Sequence, residues 1–262
     1  MAVRTLAIGD IHGSLKALVQ VLDRANYNPK KDNLIFLGDY VDGWSESAEV
    51  VDFIIGLKEK IKFENRHPES VVCLEGNHDQ WLAEFLIYGT AQPGWLQNGG
   101  RTTLASYEKF WDNNGRDSKS LDSHRDFFNK LMPYYITNKN QAFVHAGCSI
   151  EDGVGGTLPY LRVWDRQMWA KVMSGATVKA HNELYIGHTT TCSLKLKKHL
   201  PEYDTQKDGL DYITVPVNRQ NVWNLDTGAG WHGRLTAMDI DSKEFFQSDL
   251  SMELYPNEKG RM

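Results

Sequence analysis

The chain of 262 residues is poor in cysteine: Cys73, Cys148 and Cys192 are scattered and form no Cys-x-x-Cys pair. That spacing excludes a disulfide scaffold and a zinc ribbon, and fits three buried thiols in a reducing cytoplasm. Long apolar runs are also missing. None approaches the roughly 20 residues that span a bilayer, so no membrane partner is expected. Residues 1–10 lack the apolar stretch of a signal peptide and read instead as a first strand. A basic excess is absent as well. Lys and Arg number 29 against 34 Asp and Glu, a formal net charge of −5. Without a basic stripe, a long nucleic-acid polymer is not an expected partner. Hydrophobic residues at 41% and charged residues at 24% are ordinary for a globular chain and exclude a collagen, a coiled coil or a disordered polymer.

What is there, first, is rhythm. Over the first 88 residues, three apolar runs each end in glycine and a polar cluster, and an amphipathic helix follows. Thr5–Ile8 leads into Gly9-Asp10-Ile11-His12-Gly13, and then a helix from near Ser14 presents Leu15, Leu18, Val19 and Leu22. Leu34–Leu37 leads into Gly38-Asp39-Tyr40-Val41-Asp42-Gly43, with Val50, Phe53, Ile54, Leu57 and Ile61 inward on the next helix. Val71–Leu74 leads into Glu75-Gly76-Asn77-His78-Asp79, with Trp81, Leu82, Phe85 and Leu86 behind it. Alternating strands and helices predict βαβ units and parallel pairing, and ligands of such sheets sit beyond the carboxyl ends of the strands. All three polar clusters fall there.

Residues 89–133 read as a helical insert over the strand ends within a single domain of residues 1–262. Gly89–Gly100 reads as loop, 102–110 and 123–132 as short helices, and 112–118 as a solvated turn. Strands dominate from Tyr134: 135–137, 141–145, 184–187, 222–226, 235–240 and 245–247. A polar segment at about 195–220 is expected to be a long loop.

Two later clusters extend the series: His145 in Val144-His145-Ala146-Gly147, and His188 in Ile186-Gly187-His188-Thr189. Carboxylates, imidazoles and one amide oxygen suit a divalent ion of intermediate hardness such as Mn²⁺, Fe²⁺ or Zn²⁺. Asp10 and His12, two residues apart, can turn toward one point in an extended loop. Asp39, on a neighbouring strand end, can reach that point and bridge to a second ion.

The blocks Gly9–Gly13, Gly38–Gly43 and Gly76–Asp79 resemble the three signatures of the calcineurin-like metallophosphoesterases. Together with Val144–Gly147 and Ile186–His188, they resemble the bacterial and phage branch of the phosphoprotein phosphatases. Trp95–Tyr107 and Asn224–Ala237 are similar to further blocks of that branch, so the likeness runs from about residue 5 to 240. That branch holds both protein phosphatases and symmetrical diadenosine tetraphosphatases. The resemblance implies an α/β fold, a four-layer sandwich of two mixed sheets flanked by helices. It implies two divalent ions, Mn²⁺ foremost, with Asp10, His12 and Asp39 at the first, and Asn77, His145 and His188 completing the second. It implies that His78, oriented by Asp42, protonates the leaving oxygen while a metal-activated water attacks phosphorus. An imidazole held by a carboxylate keeps its proton more readily, which suits a general acid.

The chain departs from the family in two places. The second block usually ends Asp-Arg-Gly; here it reads Asp42-Gly43-Trp44. The residue before the third-block glycine is often Arg; here it is Glu75. Two phosphate clamps are therefore missing, and Arg166 is the expected substitute, ahead of Arg101, Arg162 and Arg234. Trp44, Trp95, Trp164 and Trp231 lie near motifs and read as core or as an apolar wall, and His232 as a neighbour of the site. His67, His124, His181 and His199 are expected at the surface. The leading reading is a phosphatase of phosphomonoesters, phospho-Ser/Thr of proteins above all. The alternative is a hydrolase of dinucleoside polyphosphates or phosphodiesters. An inert relative of the same fold is disfavoured, because every expected ligand is present.

Overall fold

The computed structural model describes residues 3–114, 118–193 and 212–261. Two five-stranded mixed sheets form its centre, with strand orders β10-β9-β1-β2-β3 and β4-β5-β6-β8-β7. In the first, β1 (Thr5–Ile8), β2 (Asn33–Phe36) and β3 (Val71–Cys73) run parallel, and β9 (Thr236–Asp239) and β10 (Phe245–Gln247) complete it antiparallel. In the second, β5 (Gln141–Phe143), β6 (Glu183–Ile186) and β8 (Val222–Asn224) run parallel between β4 (Tyr135–Ile136) and β7 (Val217–Arg219).

Side-chain parity explains why these short apolar strands stack in layers. Neighbouring residues of a strand face opposite sides. Leu6, Ile8, Leu34, Phe36, Val71 and Cys73 face the helices of the first side. Ala7, Ile35 and Val72 between them meet Phe143 and Tyr185 of the second sheet, whose rings stack at 4.7 Å and 9°. Ala142, Val144, Leu184 and Ile186 face outward again, onto Met168, Trp169 and Val172. Strands buried on both faces read as continuous apolar runs, as these do. The expected four-layer sandwich is the observed one.

Helices α1 (Leu15–Arg24), α2 (Ser47–Phe63) and α3 (Asn77–Tyr88) follow the three first strands. Leu18, Leu22, Val50, Ile54, Ile61, Leu82 and Leu86 are buried as their spacing predicts; Val19 instead is 47% exposed, and Ala17 and Val21 take the inner face. The stretch expected as loop at 89–100 is partly helical: a short α4 (Pro93–Trp95) and a wide turn over Leu96–Gly100 run straight into α5 (Arg101–Asn114). Helix α5 continues to Asn114, where a turn from residue 112 was expected, and α6 (Ser118–Asn129) follows. Tyr107, Phe110, Phe127 and Phe128 of these two helices share the apolar layer of α1 and α2. Helices α7 (Pro159–Trp164) and α8 (Gln167–Met173) lie between β5 and β6, and α9 (Ser251–Leu254) follows β10. Most of the loop expected at 195–220 lies outside the described residues, and its end forms β7. No helix among the described residues is long and apolar enough to cross a membrane.

Candidate metal centre

The carboxyl ends of β1, β2, β3, β5 and β6 converge on one buried cluster. Asp10, His12, Asp39, Asn77 and His145 are at most 2% exposed, and His188 is 6% exposed. Potential ligand atoms of Asp10, His12 and Asp39 lie within 4.8 Å of one another, and so do those of Asp39, His145 and His188. Asp39 belongs to both groups. The loops that carry these residues are tight: His12, Asp39, Asp42 and His188 all hold positive φ, between 50° and 69°. Asp, Asn and His enter that left-handed region more readily than other side chains. Glycine is demanded at Gly187, where a Cβ would come within 2.0 Å of Asp10 Oδ1, and at Gly76, where it would meet Asp39 Oδ1 at 2.2 Å.

Around the cluster, backbone groups fix the ring orientations. His12 Nδ1 donates to the Val41 carbonyl at 2.9 Å, and His145 Nδ1 to that of Leu37 at 2.8 Å. Each leaves Nε2 for the centre, the usual outer support of a ligating histidine. The Asn77 amide oxygen accepts from His145 Nε2 at 3.1 Å and from His188 Nδ1 at 2.8 Å. Asp79 has a positioning role that sequence reading did not assign. Its carboxylate accepts from the backbone N–H groups of Asp39, Tyr40 and Gly76 at 2.7–2.9 Å, tying the β2 loop to the β3 loop.

The charges are those of a cation site with its cation subtracted. Burial, then Asp226, pushes the Asp10 carboxyl well above its usual range, and burial raises Asp226 to about 6. Burial works against a charged His145, but the Asp39 carboxylate beside it prevails and lifts the imidazole to about 10. Burial drops His188 to about 2. Two buried polar atoms, Asp10 Oδ1 and His188 Nε2, have no hydrogen-bond partner. Orphaned acceptors in a buried cluster of carboxylate and imidazole fit divalent ions, which would also displace the extra proton of His145.

Beside this cluster stands a second device. His78 Nδ1 meets Asp42 Oδ2 at 2.6 Å. Asp42 also accepts from Trp95 Nε1 at 2.7 Å and from Thr103 Oγ1 at 2.6 Å. Burial pushes Asp42 up to about 8 and His78 down to about 3. Between those values the pair is neutral overall. A carboxylic acid beside a neutral imidazole has the same proton count as a carboxylate beside an imidazolium. Donors from Trp95 and Thr103 favour the second form, in which both ring nitrogens of His78 carry a proton. Trp95 thus does more than fill the core, and Thr103 was not foreseen. Trp95 sits in the helical turn that reads as loop, and Thr103 in α5, where a helix over 102–110 is expected.

The calcineurin-like phosphoesterase family matches residues 3–213 of this sequence. The chain belongs to that family. Its relatives include the symmetrical bis(5'-nucleosyl)-tetraphosphatase of Pseudomonas fluorescens strain SBW25, 37% identical, with 95% of this chain and 96% of that protein covered. The enzyme of the same description from Neisseria gonorrhoeae strain NCCP11945 is 25% identical over 92% and 94%. In fold, the phosphoesterase is similar to a Saccharomyces cerevisiae protein serine/threonine phosphatase (TM-score 0.59, 13% identity, 94% of this chain and 80% of that one). It is similar also to a metallophosphoesterase from Sphaerobacter thermophilus (TM-score 0.51, 14% identity, 97% and 94%).

The remaining expected residues are distributed as follows. Arg166 is exposed at the rim, where its Nη1 donates to the His188 carbonyl and to Thr189 Oγ1, each at 3.0 Å. Arg162 is bound to the Val154 carbonyl, and Arg234 to that of Ser248. Trp164 is 41% exposed, packs edge-on against Trp81 at 5.1 Å and lies 6.2 Å from the His188 ring. Trp44 is buried core. His232 contacts Met252 and Tyr212. His67 is exposed as expected, but His124 and His181 are not: both are buried, His124 against Tyr107 and Phe110. A histidine outside any motif carries no signal of burial when its partner is an aromatic on another turn. His199 lies outside the described residues. Cys73 and Cys148 are buried as expected, and Cys192 is half-buried.

Proposed function

We propose that the protein is a dinuclear-metal phosphoesterase in which His78 is the general acid. The observation that carries this reading is the pair of three-residue groups sharing Asp39, with the His78–Asp42 dyad beside them. Asp10, His12 and Asp39 would hold one ion; Asp39, Asn77, His145 and His188 would hold the other. Ions bound there would supply Lewis acidity and a water activated at neutral pH. As water adds to phosphorus and the bond to the leaving oxygen breaks, that oxygen would take the proton from His78 Nε2. Asp42 keeps the imidazole oriented and carries the balancing charge. Arg166, tied to the His188 carbonyl, would meet substrate oxygens at the rim.

For the substrate, we infer a nucleotide of the dinucleoside polyphosphate class. Trp164 and Trp81 form a half-exposed aromatic shelf next to His188 and His78, which suits the face of a base. The descriptions of the Pseudomonas and Neisseria relatives point the same way. A phosphoprotein substrate is a second reading, supported by Glu75. That carboxylate is half-buried near His145 and would favour a basic peptide over a bare anion.

The test begins with metal-stripped protein, before and after Mn²⁺ is added. Diadenosine tetraphosphate, a phosphoserine peptide, p-nitrophenyl phosphate and its bis ester are compared. Mn²⁺-dependent turnover with the dinucleotide in front is expected. A phosphopeptide preferred by kcat/KM would transfer the assignment to the second reading. No Mn²⁺-dependent turnover of any of the four would refute both.

A further inference from the structure

The arginine missing from the second block has a counterpart elsewhere in the chain. Gly43 holds φ of 140°, and a Cβ there would meet the His12 carbonyl oxygen at 2.9 Å and Arg261 Cγ at 3.2 Å. The stem of Arg261 therefore lies where a side chain at position 43 would start. Its Nη1 reaches His12 Nε2 at 3.1 Å, across 249 residues of sequence. Its Nε is buried and has no partner.

This placement is built by the residues that follow Gly43. The Trp44 ring stacks on Tyr255 at 5.0 Å and 21°, and its Nε1 donates to the Ala229 carbonyl. Ser45 donates through its N–H and its Oγ to the two oxygens of Glu258, at 2.9 and 2.7 Å. Arg261 N donates to the Gly230 carbonyl at 3.0 Å, and the guanidinium lies 5.3 Å from the Trp231 ring. Gly260 holds φ of 61° and passes so close to Trp44 that a Cβ would come within 2.9 Å of its ring. The sequence that replaces the usual Arg-Gly thus docks a distant segment, and that segment returns a guanidinium.

We propose that Arg261 is the phosphate clamp of this enzyme, binding the non-bridging oxygens of the substrate phosphoryl group beside Asp10, His12 and Asp39. The proposal rests on the phosphoesterase reading above. Once His12 Nε2 serves as a ligand, Arg261 Nη1 is free to donate, and Nε already is. Nη1 with Nη2, and Nη2 with Nε, form the two planar edges of a guanidinium that match paired phosphate oxygens.

Arg261→Ala and Arg261→Lys are compared with the wild-type protein, all loaded with Mn²⁺. For Arg261→Ala, the KM for p-nitrophenyl phosphate should rise about 10- to 100-fold, as loss of a charged bidentate contact predicts, with a smaller change in kcat. Binding of inorganic phosphate by calorimetry should weaken by the same factor, and Mn²⁺ binding should not change. Arg261→Lys should fall between the two, and guanidinium ion should restore part of the loss in Arg261→Ala. Unchanged KM and unchanged phosphate affinity would overturn the proposal. So would tighter Mn²⁺ binding with a faster Arg261→Ala enzyme, which would make the guanidinium a competitor of the ion. Calorimetry with phosphate reads the clamp without turnover. A wild-type protein that binds phosphate through Arg261 yet hydrolyses nothing would sink the phosphoesterase reading and leave the clamp standing.

Discussion

Asp39 and His78 are adjacent in space yet answer to different demands. Asp39 is the one carboxylate common to both ligand groups. Asp39→Ala should therefore abolish Mn²⁺ binding at both positions, read as lost stoichiometry in calorimetry. Retention of two ions with full activity would disprove the bridging role. His78→Asn should keep both ions and lose about 10²- to 10⁴-fold in kcat, the usual weight of a general acid. The loss should be steeper for alkyl phosphates than for p-nitrophenyl phosphate, whose leaving group needs little protonation. Trp95→Phe removes one donor to Asp42 and keeps the ring. An interaction of about 1.4 kcal/mol corresponds to a tenfold fall in kcat, with the same leaving-group trend and unaltered Mn²⁺ binding. An equal loss for every leaving group would assign Trp95 a purely structural role.

At the scale of elements, the loops after β1, β2 and β3 were legible because glycine, carboxylate and imidazole mark a strand end whatever packs around it. The turn at 93–100 was not. Its Gly, Pro and Asn content reads as loop, whereas Trp95 anchors the turn on Asp42 and Asn98 donates to the Gly94 carbonyl within it. Arg261 was illegible for a similar reason: nothing local distinguishes it, and the cause of its placement is Gly43, 218 positions earlier. The insert helices also hide a titratable group. Burial lowers His124 to about 4, and its Nδ1 lies 3.0 Å from the Tyr107 hydroxyl. Its Nε2 faces only the exposed Asp52, at 3.9 Å. The unfolded chain takes up this proton near the ordinary pKa of 6.5, the folded one only near 4. Stability is thus fully present above about 6.5 and is lost as pH falls toward 4, by of order 3 kcal/mol from this residue. Urea unfolding at pH 7.5 and 4.5 should show this loss in the wild type and a smaller one in His124→Phe. An identical pH dependence in the two proteins would contradict it.

For the whole molecule, the parallel pairing followed from apolar runs alternating with helices, while the two-sheet sandwich and the order of the ligands followed from the resemblance to the family. Neither revealed that the two sheets meet at the centre itself. Asn77 comes from the first sheet, and His145 and His188, which it joins, come from the second. Ions held there bind the folded chain only. At a free Mn²⁺ concentration of 100 times Kd each ion should add about 2.7 kcal/mol. Chelation should accordingly lower Tm by several degrees in a thermal melt, and Mn²⁺ should restore it. A Tm indifferent to both would argue against a preformed site.

The crowding at Gly43 has a consequence for descent as well as for chemistry. A side chain at 43 and the stem of Arg261 compete for one volume. A side chain at 43 would require the Arg261 stem to shift by a few tenths of an ångström, so keeping both carries a cost. Positions 43 and 261 should therefore vary as a linked pair among its kin, with an arginine at 43 accompanied by a changed or displaced segment around 255–261. A designer restoring the family arginine would have to make room at Arg261 in the same step.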